Sequence, residues 1–308
     1  MSVSPQHFAE FLQRMGHTVR EAGGAWWYNT SRGIYTSFPF DQDIDAASLP
    51  LRQILGRDGL VARYGCPADQ GVTSFRFACD DCDYDFPQLR SRTRTQVRRG
   101  LEECRVEQIE FDVLRRHGVA LNADTLTRQG RRIPGDLESW WTQYYESAAK
   151  TPGAEAWGAF AGEELAAYLI SFTIGESANI LIVRSATSHL KKFPNNALLF
   201  QFIHQRIRDP RINRVLYGYE SIQPDLGSLD QFKVGMGFQA AACGQRVEVA
   251  GWLKPLLNRY TAAPLSLMLK QLSHGETSAK LRGILRWYQQ QPALTPVQLT
   301  EAWGQRAA

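Results

Sequence analysis

Long apolar runs are missing: every such stretch is interrupted by charge, whereas a bilayer-spanning helix needs about 20 predominantly apolar residues. The N-terminus, MSVSPQHFAEF, has neither the basic start nor the apolar core of a secretory leader. Cysteine is sparse and odd in number, five in 308 residues. Without a leader this points to free thiols in a reducing compartment rather than a disulfide framework, so the expected location is cytoplasmic. Asn29-Thr30-Ser31 fits the glycosylation sequon but has no use without secretion. Neither sign of charge dominates: 35 basic and 31 acidic residues leave +4, too little to demand nucleic acid by itself. No G-x-S-x-G, H-E-x-x-H or P-loop occurs, which removes the usual entry points to serine hydrolases, zincins and NTPases. The six histidines are scattered, and Cys79-x-x-Cys82 has no second pair or His doublet at zinc spacing. Cys66 and Cys104 can complete four ligands only if the fold brings them there. Two unliganded thiols and no metal are the expectation.

What remains is a globular composition, 44% hydrophobic and 21% charged, with eight Trp and fifteen Phe to fill sizeable cores. The length suits one large domain or two of ordinary size. Ser4-Pro5 reads as cap and first turn of a helix, and Phe8, Phe11, Leu12, Met15 and Val19 continue its period to Glu21. Strands are expected over 25–29 and 33–38, with Ser31-Arg32-Gly33 as their turn. A short helix over 46–55 and strands over 59–64 and 72–78 complete a first α/β module.

A basic helical segment over 90–105 follows, then a strand over 106–111, a polar stretch over 113–134 read as helix and loop, and an amphipathic helix over 137–149. Three strands in close order, 156–160, 165–174 and 178–184, have hairpin-sized connections containing glycine. A helix over 196–208 is stopped by Asp209-Pro210, and a strand over 214–219 comes next. From Pro255 the tail reads as helical, broken at Pro264, Gly275 and Pro292, with Thr295-Pro296 starting the last helix.

The segment SLDQFKVGMGF, residues 228–238, carries the most information. Ser228 and Gln231 form a capping box that starts a helix. Gly235 and Gly237 can end it by adopting positive φ, and Phe238 opens a β-rich run. Gly235-Met236-Gly237-Phe238-Gln239-Ala240 also matches the dinucleotide fingerprint G-x-G-x-x-A. That fingerprint needs a strand before it and a helix after it, and here the order is reversed.

A short helix with the Phe232-Lys233 pair, a glycine stop and then Gly-Phe into a strand resembles the end of an acyltransferase domain of the GNAT superfamily. The likeness is to its Fem-type branch. Arg94-Thr95-Gln96-Val97-Arg98-Arg99 is similar to the basic segment that Fem-type proteins carry between two modules, and 92–249 follow the GNAT element order. The resemblance implies an α/β fold of two GNAT-like mixed-sheet modules in tandem with a helical C-terminal tail. The expected division is 1–105, 106–254 and 255–308. A further resemblance, to the aminoacyl-tRNA–protein transferases, rests on the CxxC pair, the arginine run and Tyr217-Gly218-Tyr219-Glu220.

The implied activity is transfer of an acyl or aminoacyl group from an activated carrier, acyl-coenzyme A or aminoacyl-tRNA, to an amine on a small molecule or peptide. No tightly bound cofactor is implied, and tRNA is a partner under the second carrier. Lys233 is the implied stabiliser of the tetrahedral oxyanion. Glu220 and Tyr219, at the C-terminal end of a strand, are placed to accept and donate protons. Ser185 can contact the donor carbonyl.

The loop after Ser185 holds the position at which GNAT enzymes bind pyrophosphate through (Gln/Arg)-x-x-Gly-x-(Gly/Ala). Residues 189–197, HLKKFPNNA, contain no glycine. Lys191, Lys192, Asn195 and Asn196 are the donor-binding candidates there, with the amides from Asn196 onward at a helix start. Arg92, Arg94 and Arg98 are candidates for phosphate contact, the guanidinium fork suiting phosphate oxygens. The plain alternatives are a solvated basic helix, a capped helix and a surface lysine. Their functional counterparts are a non-catalytic GNAT scaffold or an RNA-contacting protein.

Overall fold

The computed structural model describes residues 3–220, 227–257 and 276–294. They form a mixed α/β protein that divides into two compact units. The first comprises 1–16, 76–219 and 227–240, and the second 17–75, 220–226 and 241–308.

The first unit is built on the meander β7 (Ala154–Ala161), β8 (Glu164–Ile174) and β9 (Ser177–Ser185), with β6 (Arg105–Ile109) antiparallel to β7. The helix α6 (Pro194–Arg206) then leads to β10 (Arg214–Tyr219), which runs parallel to β9. β8 is buried along nearly its whole length because both faces are covered. Ala167 and Leu169 join a core with Val97 of α3 (Ser91–Glu103) and with Leu198, Phe202 and Ile203 of α6. The intervening Tyr168 turns to α4 (Phe111–Arg128) and α5 (Leu137–Ala149). α1 (Pro5–Arg14) packs Phe8 and Phe11 on Phe172 at ring distances of 5.1 and 4.6 Å.

The second unit repeats that scheme. β1 (Val19–Ala22), β2 (Ala25–Ser31) and β3 (Ile34–Phe38) form an antiparallel meander. After α2 (Leu51–Leu55), β4 (Val61–Cys66) lies parallel to β3. The last strand, β11 (Gln239–Val249), pairs antiparallel with β4. In the first unit the corresponding antiparallel partner of β10 is β5 (Val72–Cys79). In each unit, therefore, the strand beside the parallel pair comes from the other half of the sequence. The second core gathers Trp27, Tyr35, Ile54 and Tyr64, and Trp287 of α8 (Glu276–Gln290) packs with Val61, Val247 and Val249.

Several expected boundaries move for local reasons. The first helix stops at Arg14 rather than Glu21, because Gly16 turns the chain at φ +83° and Val19 pairs with Tyr28 in β1. The helix expected over 46–55 keeps only Leu51–Leu55. Pro50 pushes the preceding residue out of helical space, and the Asp45 carboxylate holds the amides of Ala47 and Ser48 in a turn. α6 begins at Pro194, at its favoured first helical position, after Phe193 at φ +53°. The tail breaks at Pro264 and Gly275 and the helix start at Thr295-Pro296 lie outside the described residues. No described helix is long and apolar enough to cross a membrane.

Candidate active site

Lys233 sits on α7 (Gly227–Gly235), whose end is locked by the sequence KVGMGF. Gly237 takes φ +89°. Its amide donates to the Val234 carbonyl at 3.1 Å, and the Phe238 amide to the Lys233 carbonyl at 3.2 Å. Those two bonds make a Schellman cap. Gly235, expected to share the positive φ, is instead helical and is needed for space: a Cβ there would lie 2.7 Å from Thr93 Oγ1 of α3. The Ser228 side chain lies outside the described residues, and the helix extends one residue before it, to Gly227.

The cap fixes Lys233 with its side chain inward, at 3% exposure. Nζ donates to the Tyr219 carbonyl at 3.1 Å and to Asp230 Oδ1 at 3.0 Å. It also lies over the rings of Phe77 at 4.4 Å and Tyr217 at 5.5 Å. Contacts that hold the ammonium thus include a carboxylate, a carbonyl dipole and the electron-rich faces of two rings, in a low-dielectric setting.

Tyr219 ends β10 where the sheet opens. β10 pairs with β9 only over Arg214–Leu216, opposite Ser177–Asn179. β9 continues beside β8 to Ser185, and β10 beside β5 to Tyr219. Gly218 at φ +72° accompanies the register shift between Leu216 and Tyr219. Beyond Leu216 and Asn179 the parallel strands share no ladder among the described residues. The backbone edge of 180–185 away from β8 therefore has no strand partner there. The Tyr219 ring lies under the Arg76 guanidinium at 5.4 Å. Glu220 donates its amide to the Phe75 carbonyl at 2.7 Å, and its half-buried carboxylate makes no hydrogen bond or ion pair among the described residues.

Ser185 and Asn195 come together: Asn195 Nδ2 donates to Ser185 Oγ at 3.0 Å. Arg128, which the sequence did not single out, donates to the Ser185 carbonyl at 3.0 Å and to its Oγ at 3.3 Å. Ser185 is 1% exposed, an anchor for the strand end. Asn196 ties α6 to α3 and to the turn after α7, with Nδ2 3.4 Å from Gln96 Oε1 and 3.9 Å from Met236 Sδ. Lys191 is exposed and Lys192 half-buried.

The amides expected to cradle phosphate at this helix start are already used. Phe193 N donates to Leu190 O, while Asn196 N and Ala197 N both donate to Phe193 O at 3.1 and 3.2 Å. Pro194 has no N–H. Thr187 N and Oγ1 both go to the Asp124 carboxylate. A pyrophosphate cradle of GNAT type does not fit this segment as it stands.

On α3, Arg92, Arg98 and Arg99 are exposed, as is Arg90 before it. Arg98 lies 5.3 Å from the Phe86 ring. Arg94 is half-buried and donates to the Leu89 carbonyl at 3.2 Å. Cys79 is buried and Cys82 exposed. Among the described residues the one group of three potential metal ligands is Asp81, Cys82 and Asp83 on the surface, without Cys79, Cys66 or Cys104. The second unit carries an open groove of about 690 Å³ beside Arg246, Glu248, Lys254 and Tyr288. None of the expected site residues lines it.

A buried polar cluster escaped sequence reading. Asn122 Nδ2 donates to Tyr145 Oη at 2.8 Å, and Tyr145 and Tyr168 share a 3.0 Å hydroxyl contact. Tyr168 Oη closes the ring by donating to Asn122 Oδ1 at 2.7 Å, and Arg184 Nε adds a donor to the same oxygen at 3.1 Å. No spacing rule links residues this far apart in sequence.

No family model matches the chain, and no curated protein does. Solved structures do. FemX is 11% identical over 86% of this chain and 93% of its own, with a TM-score of 0.57. The C-terminal domain of a putative lysylphosphatidylglycerol synthetase from Agrobacterium fabrum is 14% identical, covering 85% and 90%, at 0.55. L-PGS from Bacillus licheniformis is 13% identical, covering 92% and 98%, at 0.53. The chain shares its fold with FemX and with these two synthetase structures.

Proposed function

We propose that this protein transfers an aminoacyl or acyl group from an activated ester carrier to an amine. The observation that carries the reading is Lys233: a buried ammonium clamped at the end of β10, where the parallel strands part. Aminolysis of an ester forms a new C–N bond and passes through a tetrahedral oxyanion before the C–O bond breaks. A fixed donor aimed at that oxygen is worth about 2.7–4 kcal/mol of barrier. Because Lys233 is held before substrate arrives, little reorganisation is needed at the moment of reaction. The edge of 180–185 away from β8, which has no strand partner among the described residues, is where the donor is proposed to lie. Glu220, one residue beyond Tyr219, with a carboxylate that makes no hydrogen bond or ion pair among the described residues, is the group proposed to receive the proton of the attacking amine.

The same geometry favours an aminoacyl ester of tRNA over acyl-coenzyme A as carrier. The amides of Phe193, Asn196 and Ala197 at the helix start are bonded within the protein, while α3 presents the exposed Arg92, Arg98 and Arg99 on the same unit. Exposed guanidinium groups suit a phosphate backbone, whose binding weakens as salt rises. The proteins of like fold include FemX and a putative lysylphosphatidylglycerol synthetase domain, and that agreement adds to the reading.

The test supplies charged tRNA and acyl-coenzyme A separately, each with a pool of amino acids and short peptides, and follows product by mass spectrometry. Transfer from charged tRNA is expected. Transfer from acyl-coenzyme A alone would overturn the carrier assignment. Salt-dependent RNA binding with no product from either donor would overturn catalysis and leave an RNA-contacting protein.

A further inference from the structure

Arg184 lies near the end of β9, directly opposite Tyr168 in the β8 ladder and within the stretch that β10 no longer covers. Its Nε donates to Asn122 Oδ1 at 3.1 Å and one terminal nitrogen to the Val183 carbonyl at 2.9 Å. The Trp141 ring lies 5.8 Å from the guanidinium carbon. No carboxylate lies within ion-pair distance of this half-buried cation among the described residues, and no hydrogen bond to its other terminal nitrogen is found there.

Asn122, which orients the guanidinium, is 1% exposed, and Tyr145 and Tyr168 are fully buried. Their closed ring of hydrogen bonds leaves the Asn122 amide one orientation, with its oxygen toward Arg184. The packing around it is tight: a Cβ on Gly118 would lie 2.7 Å from Tyr145 Oη. Burial pushes the Tyr145 hydroxyl up to about 12 and holds that of Tyr168 well above the ordinary phenol range. Both tyrosines are therefore neutral and supply no counter-charge. A cation set out of bulk water costs free energy unless an anion meets it. Here three buried side chains aim one cation and nothing in the described protein neutralises it.

We propose that the outer edge of the Arg184 guanidinium binds a carboxylate of the amine acceptor, so that the acceptor is an amino acid or a peptide presenting a free carboxylate. One guanidinium matches one carboxylate in charge and in two-point geometry. A phosphate dianion on the same single cation would stay uncompensated, which disfavours it here. The acceptor is the substrate in question because an aminoacyl ester has already lost its own carboxylate. This assignment rests on the transfer reading for the word acceptor. Binding, however, is measured without turnover.

The experiment is a thermal-shift screen of the full chain against each of the twenty free L-amino acids and against phosphoethanolamine, followed by titration calorimetry of any that bind. Each amino acid found is then compared with its carboxamide. At least one amino acid is expected to bind, its carboxamide to bind at least about ten-fold more weakly, and Arg184→Gln to lose at least about ten-fold in affinity. Arg184→Lys should recover part of the loss. Asn122→Leu, if folded, should weaken the same amino acid without altering the response to its carboxamide. No binding by any amino acid, equal binding of acid and carboxamide, unchanged affinity in Arg184→Gln, or binding of phosphoethanolamine alone would each overturn the carboxylate site. Failure of transfer with every carrier, with the amino acid still bound through Arg184, would remove the catalytic reading and leave this site standing.

Discussion

The ammonium of Lys233 lies 3.1 Å from the carbonyl oxygen of Tyr219, fourteen residues earlier in the chain. One contact thus joins the capped end of α7 to the end of β10, where the strands separate. Asp230, one turn before Lys233, completes the clamp at 3.0 Å. A lysine 3% exposed on a nine-residue helix is not a surface residue.

The helix carrying Lys233 depends on close approach to α3 at Gly235. Gly235→Ala places a methyl 2.7 Å from Thr93 Oγ1. Overpacking of this kind costs about 1–3 kcal/mol, more than the gain of up to about 1 kcal/mol in helix propensity. Urea unfolding should show the net loss, and Thr93→Ala in the same chain, which deletes that oxygen, should recover it. Additive losses in the double variant would show that the contact is not the cause.

Much of the first unit was legible in the sequence. The 137–149 helix and the 214–219 strand lie where periodicity and breakers put them, and the meander strands shift by only a residue or two. Hydrophobic period and turn residues are local signals, and these elements obey them. Val19 shows the limit: it fits a helical period, yet pairing with Tyr28 claims it for a strand. The Asn122, Tyr145, Tyr168 and Arg184 cluster shows another, since its members meet only after two helices and two strands have packed. Asp230 was within reach, three residues before Lys233 and on the same helix face. The occupied amides around Phe193 were not, because a positive φ at a phenylalanine has no sequence signature.

Stability should fall at alkaline pH through buried thiols. Burial pushes Cys79 up to about 11 and Cys66 up to about 12. Unfolded thiols ionise near about 8.5. The folded-state values are raised, so the stabilisation is complete below about pH 8.5 and is lost as pH climbs toward the folded values, by about 1.4 kcal/mol per thiol per pH unit. Urea midpoints measured between pH 8 and 10.5 should fall, and less steeply in Cys79→Ala. Under native conditions a thiol reagent should modify Cys82 quickly and the four buried cysteines only on unfolding. Equal slopes in both proteins would contradict this.

The arginines of α3 should separate by role. Arg92→Glu and Arg98→Glu, both at exposed positions, should weaken charged-tRNA binding and lower the salt slope by about one each. Arg94→Gln should act on the melting temperature instead, because its guanidinium serves the Leu89 carbonyl. Binding unchanged in both glutamate variants would move the carrier elsewhere on the surface.

The most direct measurement is the single-turnover rate of Lys233→Ala with pre-bound charged tRNA and amine. It should be made in both the natural background and Asp230→Asn, so that no carboxylate is left stranded. A fall of at least about ten-fold, with carrier affinity unchanged and the variant folded, is the expected result for a lost oxyanion donor. A rate equal to that of the natural protein would mean that this buried cation only holds α7 against β10.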